Sequence, residues 1–416
     1  MHKLFNSALI YTSSNILAKA IPFLLLPVLT RYLTPSDYGI VATFQVVLGF
    51  MIVFVGLNGN GAVMVNFFKL DGQSLKIYIG NMFFIIFVIV IVILGFLCIL
   101  NSTLSNFIKF PSPWLFVSVI VALGQVIVSL VLVLWQAERR ALAYGSFNIC
   151  NMLVNVSLSL FLIIAIGLKW QGRLLGIVIS SFVFALISLF ILCKKRYIIL
   201  SFNKEYIKDA LLFGIPLIPH ALGGWIITGI DRIFINSMVG VTATGIYVVG
   251  YQVGMIISLL AVSFNTAWAP FLFEKLKEDN YSEKLQIVKY TYVYCISLIG
   301  LALLLGFVAP IILTFFVGNN FYGASKYVIW IAIGYAFEGI YLILGNYIFY
   351  AKKTYLLSLV TFACALCNLI LNYLLIKHNG ALGAAQSTCF TYLVFCTLTW
   401  FLSSKVYKMP WMLKEL

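Results

Sequence analysis

Four ionisable side chains sit where a bilayer would make them costly: Lys19, Asp231, Arg232 and Glu338, each inside an apolar stretch. An ionised group on a lipid-facing surface at mid-bilayer costs about 3 kcal/mol or more, so such residues turn toward a bundle interior. There two kinds of chemistry are open to them. Lys19 and Arg232 offer positive charge to an anionic ligand. Glu338 and Asp231 can take up and release a proton, and His220 could do so near neutrality. Each has a plainer alternative. Lys19 could snorkel to the surface or pair with Glu338. Asp231 and Arg232 lie near one end of their stretch and could anchor it at the interface. Neighbours on a helix point about 100° apart, so the two need not pair. His220 follows Pro219 and could be purely structural.

Proline marks the places where such residues could be set beside unwound backbone. Pro22 and Pro27 fall in the first apolar stretch, and Pro216 and Pro219 fall in the seventh. A proline in a helix interior removes a hydrogen bond and bends the chain. Paired breaks at matching places make these four the hinge candidates, with a static kink as the alternative. Neutral polar stripes add to the pattern. Asn148, Asn151 and Asn155 share one helical face, as do Asn368 and Asn372. Such stripes join helices by hydrogen bonds or line a wet cavity.

The elements that carry these residues follow from composition. Of 416 residues, 63% are hydrophobic and 9% are charged, where a soluble domain has about 25% charged residues. Runs such as Met82–Leu100, Leu174–Cys193, Tyr290–Val317 and Leu382–Ser404 hold no Asp, Glu, Lys or Arg. They match the roughly 20 apolar residues of a spanning helix and exceed the alternating 10-residue strands of a barrel. Backbone groups in lipid must be satisfied internally, so the runs are helices. The expected fold is all-α and integral to the membrane. Hydropathy places twelve spans near 7–30, 38–62, 77–100, 114–137, 142–167, 174–193, 211–235, 243–272, 290–316, 327–350, 354–376 and 381–403. The first run is too long, and too rich in Lys and Pro, for a cleaved signal peptide.

Alternate loops carry unequal positive charge. Nineteen Lys and Arg fall on one side and six, among them Arg31, Lys169 and Arg173, on the other. That bias puts both termini in the cytoplasm. The net charge of +15 is thus accounted for by topology and anionic lipid, with no nucleic acid partner. The longest polar stretch, near 194–210, falls at the midpoint. Its segment 201–211 reads as an interfacial helix with Phe202, Tyr206 and Ala210 on one face. Two six-helix lobes follow, residues 1–200 and 201–416. Gly39-Ile40 and Gly245-Ile246 recur in register, as do Gly172/Gly176 and Gly380/Gly383. All eight cysteines fall within spans, so no disulfide framework is expected; Cys364 and Cys367 read as small apolar residues on one helix face. The sequence has no Walker loop, nucleophile elbow, H-E-x-x-H or carboxylate metal motif, so neither catalysis nor a cofactor is expected.

Several segments together resemble a known family. Pro27-Val-Leu-Thr-Arg31-Tyr-Leu-Thr-Pro-Ser-Asp37-Tyr-Gly39-Ile resembles the first-loop signature of bacterial polysaccharide-unit flippases of the Wzx type, which serve O-antigen and capsule. Gly214-Ile-Pro216-Leu-Ile-Pro219, Asp231-Arg232-Ile-Phe-Ile and Gly245-Ile-Tyr247 resemble the start of their second half. Ala267-Trp-Ala-Pro270-Phe, Pro310-Ile-Ile with Gly318-Asn-Asn-Phe321-Tyr-Gly-Ala324, and Gly380-Ala-Leu-Gly383-Ala-Ala continue the likeness to the last span. The resemblance implies a fold of twelve to fourteen helices shared with MATE-type exporters and lipid II flippases. It implies two lobes around a central cavity of alternating access. It implies an undecaprenyl-pyrophosphate-linked oligosaccharide as cargo, moved from the cytoplasmic to the periplasmic leaflet of the bacterial inner membrane. Membrane lipids, a polysaccharide polymerase and a chain-length regulator are the partners it suggests. Lys19, Arg31 and Arg232 are then the substrate-binding candidates, and Asp231, Glu338 and His220 the ion-coupling candidates. The family often carries a basic residue after the second span, where this chain has Asn66-Phe67-Phe68. Two rivals stand beside this reading. A drug or cation exporter would favour anionic cavity residues over Lys19. A membrane polymerase or glycosyltransferase would show a large outer loop or a cytosolic domain.

Overall fold

The computed structural model describes residues 21, 23–278 and 280–412. Lys19 and Pro22 lie outside the described residues. Helices account for nearly all of the rest, and no strand occurs among the described residues. The elements are α1 (Phe23–Tyr32), α2 (Pro35–Gly56), α3 (Gly59–Phe67), α4 (Gly72–Ile108), α5 (Pro113–Ala137), α6 (Ala141–Leu160) and α7 (Lys169–Lys194). After them come α8 (Lys204–Gly214), α9 (Ile218–Met238), α10 (Val241–Gly254), α11 (Ile256–Glu278), α12 (Tyr281–Phe316), α13 (Ser325–Tyr350), α14 (Tyr355–Asn379) and α15 (Ala381–Val406).

Among the described residues, eleven helical stretches are long and apolar enough to cross a membrane. Each coincides with one of the spans expected after the first, and α1 is the described part of the expected span at 7–30. The chain is a multi-pass membrane protein. Its outer surface is apolar: Ile99 is 80% exposed on α4 and Phe315 is 76% exposed on α12. Its interior holds the small polar groups instead, including Thr43, Asn81, Ser188, Asn372 and Thr391. With lipid outside, the hydrophobic effect does not hold helices together, and close packing and hydrogen bonds must.

The chain forms two compact units: residues 40–225 with Ile21, and residues 23–39 with 226–412. In the first, α6 and α7 form a hairpin. A Cβ on Gly176 would collide with Ser159, and one on Gly172 would meet the Leu162–Ile163 backbone at 3.0–3.1 Å. Here the structure corrects the loop assignment of Arg173. It lies within α7, 8% exposed, and its guanidinium donates to Asn155 Oδ1 at 2.7 Å and Ser159 Oγ at 2.6 Å. Asn155 in turn donates to Ser180 Oγ at 2.9 Å, so this member of the asparagine stripe joins helices. At the α5–α6 turn, Tyr197 donates its hydroxyl to the Glu138 carboxylate. Burial and that carboxylate hold the phenol pKa above the ordinary tyrosine value.

The α8 helix is capped by Asn203, whose side chain accepts from the amides of Glu205 at 2.9 Å and Tyr206 at 3.2 Å. The approach to it is stitched to α4. Asn81 donates to Ser201 O at 2.8 Å and accepts from Asn203 N at 3.0 Å, while Ile199 N donates to Lys76 O at 3.1 Å. Tyr206 packs edge-on against Tyr78, with centroids 5.8 Å apart. The residues read as a membrane face, Tyr206 and Ala210, therefore face protein, and Phe202 sits against Phe84.

In the second unit, the segment resembling a flippase signature has a local structural role. Asp37 caps α2: its carboxylate accepts from Thr34 N at 3.0 Å and Thr34 Oγ1 at 2.6 Å, and Thr34 Oγ1 accepts from Asp37 N at 3.2 Å. Tyr38 reaches across to donate to Gln252 Oε1 at 2.9 Å. The recurring pair Gly39 and Gly245 marks one crossing. A Cβ on Gly39 would strike Val241 O, and a Cβ on Gly245 would strike Pro35 O and sit 3.0 Å from Gly39 N. Gly383 repeats the hairpin role of Gly176, its Cβ position falling on the Leu375 carbonyl. Asn368 donates to Thr391 Oγ1 at 3.0 Å, tying α14 to α15.

Candidate functional site

The charged residues of α9 meet a tyrosine seam within the second unit. Asp231 is the fourteenth residue of α9 and is 2% exposed. It lies in the packed interior of the unit. Tyr247, fully buried on α10, donates its hydroxyl to the Asp231 carboxylate. The next residue, Arg232, folds its side chain back toward the helix N-terminus, as helical side chains do. That brings its Nη1 to within 2.7 Å of Thr228 O and 3.8 Å of Asp231 Oδ1. Adjacent residues thus pair although their Cα–Cβ directions diverge. The Arg232 guanidinium lies over the Tyr251 ring at 4.3 Å and keeps 13% side-chain exposure.

The seam continues through hydroxyls. Tyr251 donates to Thr228 O at 3.3 Å and shares a hydrogen bond with the Tyr335 hydroxyl. Tyr335 packs on Tyr392 at 5.6 Å between centroids. Three residues beyond Tyr335 on α13, Glu338 is half-buried and accepts from Ser258 Oγ at 2.6 Å. Asp231, Arg232 and Glu338 are therefore gathered around one set of tyrosines. A guanidinium with an aromatic face and a carboxylate beside it can exchange that carboxylate for a stronger anion.

Other sequence candidates fall elsewhere. Arg31 lies in the last turn of α1 and is exposed. His220 is exposed in the first turn of α9. Pro27 lies within α1, Pro216 in the 3₁₀ turn Ile215–Leu217, and Pro219 at the second residue of α9. Early helical positions accept proline because their N–H has no helical partner. The tyrosines and Ser258 were missed in the sequence. Their signal was present: Tyr247 and Tyr251 sit at i, i+4 on one face of α10, and Tyr335 and Glu338 at i, i+3 on α13. Among the described residues, no cluster of three or more His, Cys, Asp or Glu could hold a metal.

The same fold occurs in solved structures of membrane transporters. The structure of lipid II flippase MurJ in an inward closed conformation matches with a TM-score of 0.75 at 16% identity, covering 96% of this chain and 87% of that one. An inward-facing multidrug resistance MATE family transporter matches with a TM-score of 0.67 at 12% identity, covering 96% and 94%. The chain belongs to the polysaccharide biosynthesis protein family, whose model matches residues 4–276. It is 28% identical over 401 residues to a membrane protein of Haemophilus influenzae, covering 95% of this chain and 93% of the relative. It is also 28% identical over 387 residues to the capsular polysaccharide biosynthesis protein CapF of Staphylococcus aureus, covering 89% and 92%.

Proposed function

We propose that this protein flips an undecaprenyl-pyrophosphate-linked oligosaccharide unit from the cytoplasmic to the periplasmic leaflet by alternating access, drawing on an ion gradient. Family membership supports a role in polysaccharide assembly, and the fold shared with a lipid II flippase supports a lipid-linked cargo. The loop charge bias supports termini in the cytoplasm. The physical task is to move a diphosphate and its sugars across about 30 Å of hydrocarbon.

The observation that carries the reading is Arg232, a guanidinium held inside the bundle by Asp231, the Thr228 carbonyl and the Tyr251 face. A diphosphate offers it two parallel charge-assisted hydrogen bonds in place of one ion pair at 3.8 Å. Asp231 and Glu338 are the groups whose protonation resets the carrier, and Lys19 is a second cation for the head group.

The test is replacement of the chromosomal gene by Arg232→Ala, Arg232→Lys and Lys19→Ala alleles. Surface polymer and the leaflet distribution of lipid-linked units are then measured at matched membrane levels of protein. Arg232→Ala should lower polymer export at least about tenfold, the loss of one charged hydrogen bond, and lipid-linked units should accumulate on the cytoplasmic side. Full-length polymer at wild-type amounts, or an ordinary leaflet distribution, in that strain refutes the role of Arg232, and an ordinary leaflet distribution on depletion of the whole protein refutes flipping.

A further inference from the structure

The α8 helix has two faces with different fates. Tyr206, Asp209 and Gly214 turn toward the rest of the first unit: Tyr206 meets Tyr78, Asp209 accepts from Asn66 Nδ2 at 3.2 Å, and Gly214 packs on the Leu57 carbonyl. Phe213 on the same side lies against Gly61. The opposite face is uncovered. Ile207, Leu211, Leu212 and Ile215 line a cleft of about 400 Å³, and Lys204 and Lys208 stand on its rim. Leu212 is 65% exposed and Ile215 is 52% exposed. The cleft continues onto Pro216 in the 3₁₀ turn between α8 and α9.

Lys204 occupies the first residue, where the helix dipole disfavours a cation. At i and i+4, Lys204 and Lys208 project from one side about a turn apart. An apolar trough with two cations at its mouth complements an amphiphile whose head is anionic and whose chain is hydrocarbon. The size falls in the range of small-molecule sites, roughly 300–1,000 Å³. The preceding exposed cations Lys194, Lys195 and Arg196 enlarge the positive field on the approach.

We infer that this face of α8 is a docking site for an anionic phospholipid, with Lys204 and Lys208 on the phosphate and one acyl chain along Ile207, Leu211, Leu212 and Ile215. A bulk membrane lipid is the occupant the chemistry favours, because an open trough with flexible lysines offers no fixed polar geometry for sugars. The site is separate from the Arg232 seam, so its fate does not decide the transport reading.

The test uses the full chain in nanodiscs of phosphatidylcholine with about one-third phosphatidylglycerol, ejected into native mass spectrometry. Wild-type protein should retain one phosphatidylglycerol more than the Lys204→Gln/Lys208→Gln variant. Titration should show that lipid binding about 30-fold more weakly in the variant, from about fivefold per lysine near an anionic head group. A Lys352→Gln/Lys353→Gln control should retain as much as wild type. An unchanged melting temperature in pure phosphatidylcholine certifies that the variant is folded. Equal retention by variant and wild type overturns the assignment. So does competition by geranyl diphosphate with no effect of phosphatidylglycerol, which would make the trough a prenyl-diphosphate site.

Discussion

The Tyr247–Asp231 contact gives a sharp test of the candidate site, because it can be cut from either end without changing shape. Tyr247→Phe removes only the hydroxyl that donates to the carboxylate. The ring should stay in place, packed between Tyr251 at 5.9 Å and Tyr327 at 5.5 Å. A hydrogen bond to a charged group contributes about 1.5–3 kcal/mol, and one between neutral groups about 0.5–1.5. With the tyrosine fully buried and Asp231 2% exposed, solvent cannot replace the lost partner, so the upper half of the range applies. In an Asp231→Asn background the hydroxyl still has a carbonyl to meet but no charge, and Tyr247→Phe should cost about 1 kcal/mol. The coupling from the double-mutant cycle is then about 1–2 kcal/mol. Equilibrium unfolding in mixed micelles with increasing dodecyl sulfate measures all four corners. Additive costs, or a Tyr247→Phe cost below about 0.5 kcal/mol with Asp231 intact, would show that the contact does not bear on stability and would refute the geometry described.

Two further outcomes follow from packing. Gly245→Ala should destabilise by about 1–2 kcal/mol, since overpacking costs about 1–3 and helix propensity returns up to about 1. Gly300→Ala, whose Cβ meets nothing within 4 Å, should stabilise by up to about 1 kcal/mol. Opposite signs in the same unfolding assay are the expected result, and equal signs would deny the crossing at Gly39 and Gly245. Arg173→Met should cost about 2–4 kcal/mol by removing two charge-assisted hydrogen bonds across the α6–α7 hairpin. Hydrogen exchange should then quicken in α6 and α7 before it does elsewhere.

Eleven spans were readable because length and hydropathy are properties of a single segment. The recurring glycines were also readable as a pair, though only packing reveals that Gly39 and Gly245 sit at the same crossing. Asp231, Arg232 and Glu338 were recognisable by charge alone. Their tyrosine surroundings were not, because α10, α13 and α15 supply them and nothing local says which faces those helices turn inward. Arg173 was misplaced because it stands at the edge of an apolar run, where hydropathy cannot tell a loop from a buried first turn. The α8 helix shows the same limit from another side. It has two apolar stripes, and periodicity does not say which one faces protein.

The stitch between α4 and the segment leading into α8 has a consequence for synthesis. Asn81 leaves the ribosome 120 residues ahead of Ser201 and 122 ahead of Asn203. At about 5–20 residues per second the interval is roughly 6–24 s. During that time the amide already has Ile77 O as an acceptor at 2.8 Å, while its own oxygen waits for Asn203 N. The nascent first unit can therefore insert early but closes this polar contact only when translation has passed α7. A stalled ribosome before residue 203 would leave that half threaded through the membrane yet unlatched, and open to quality-control proteases.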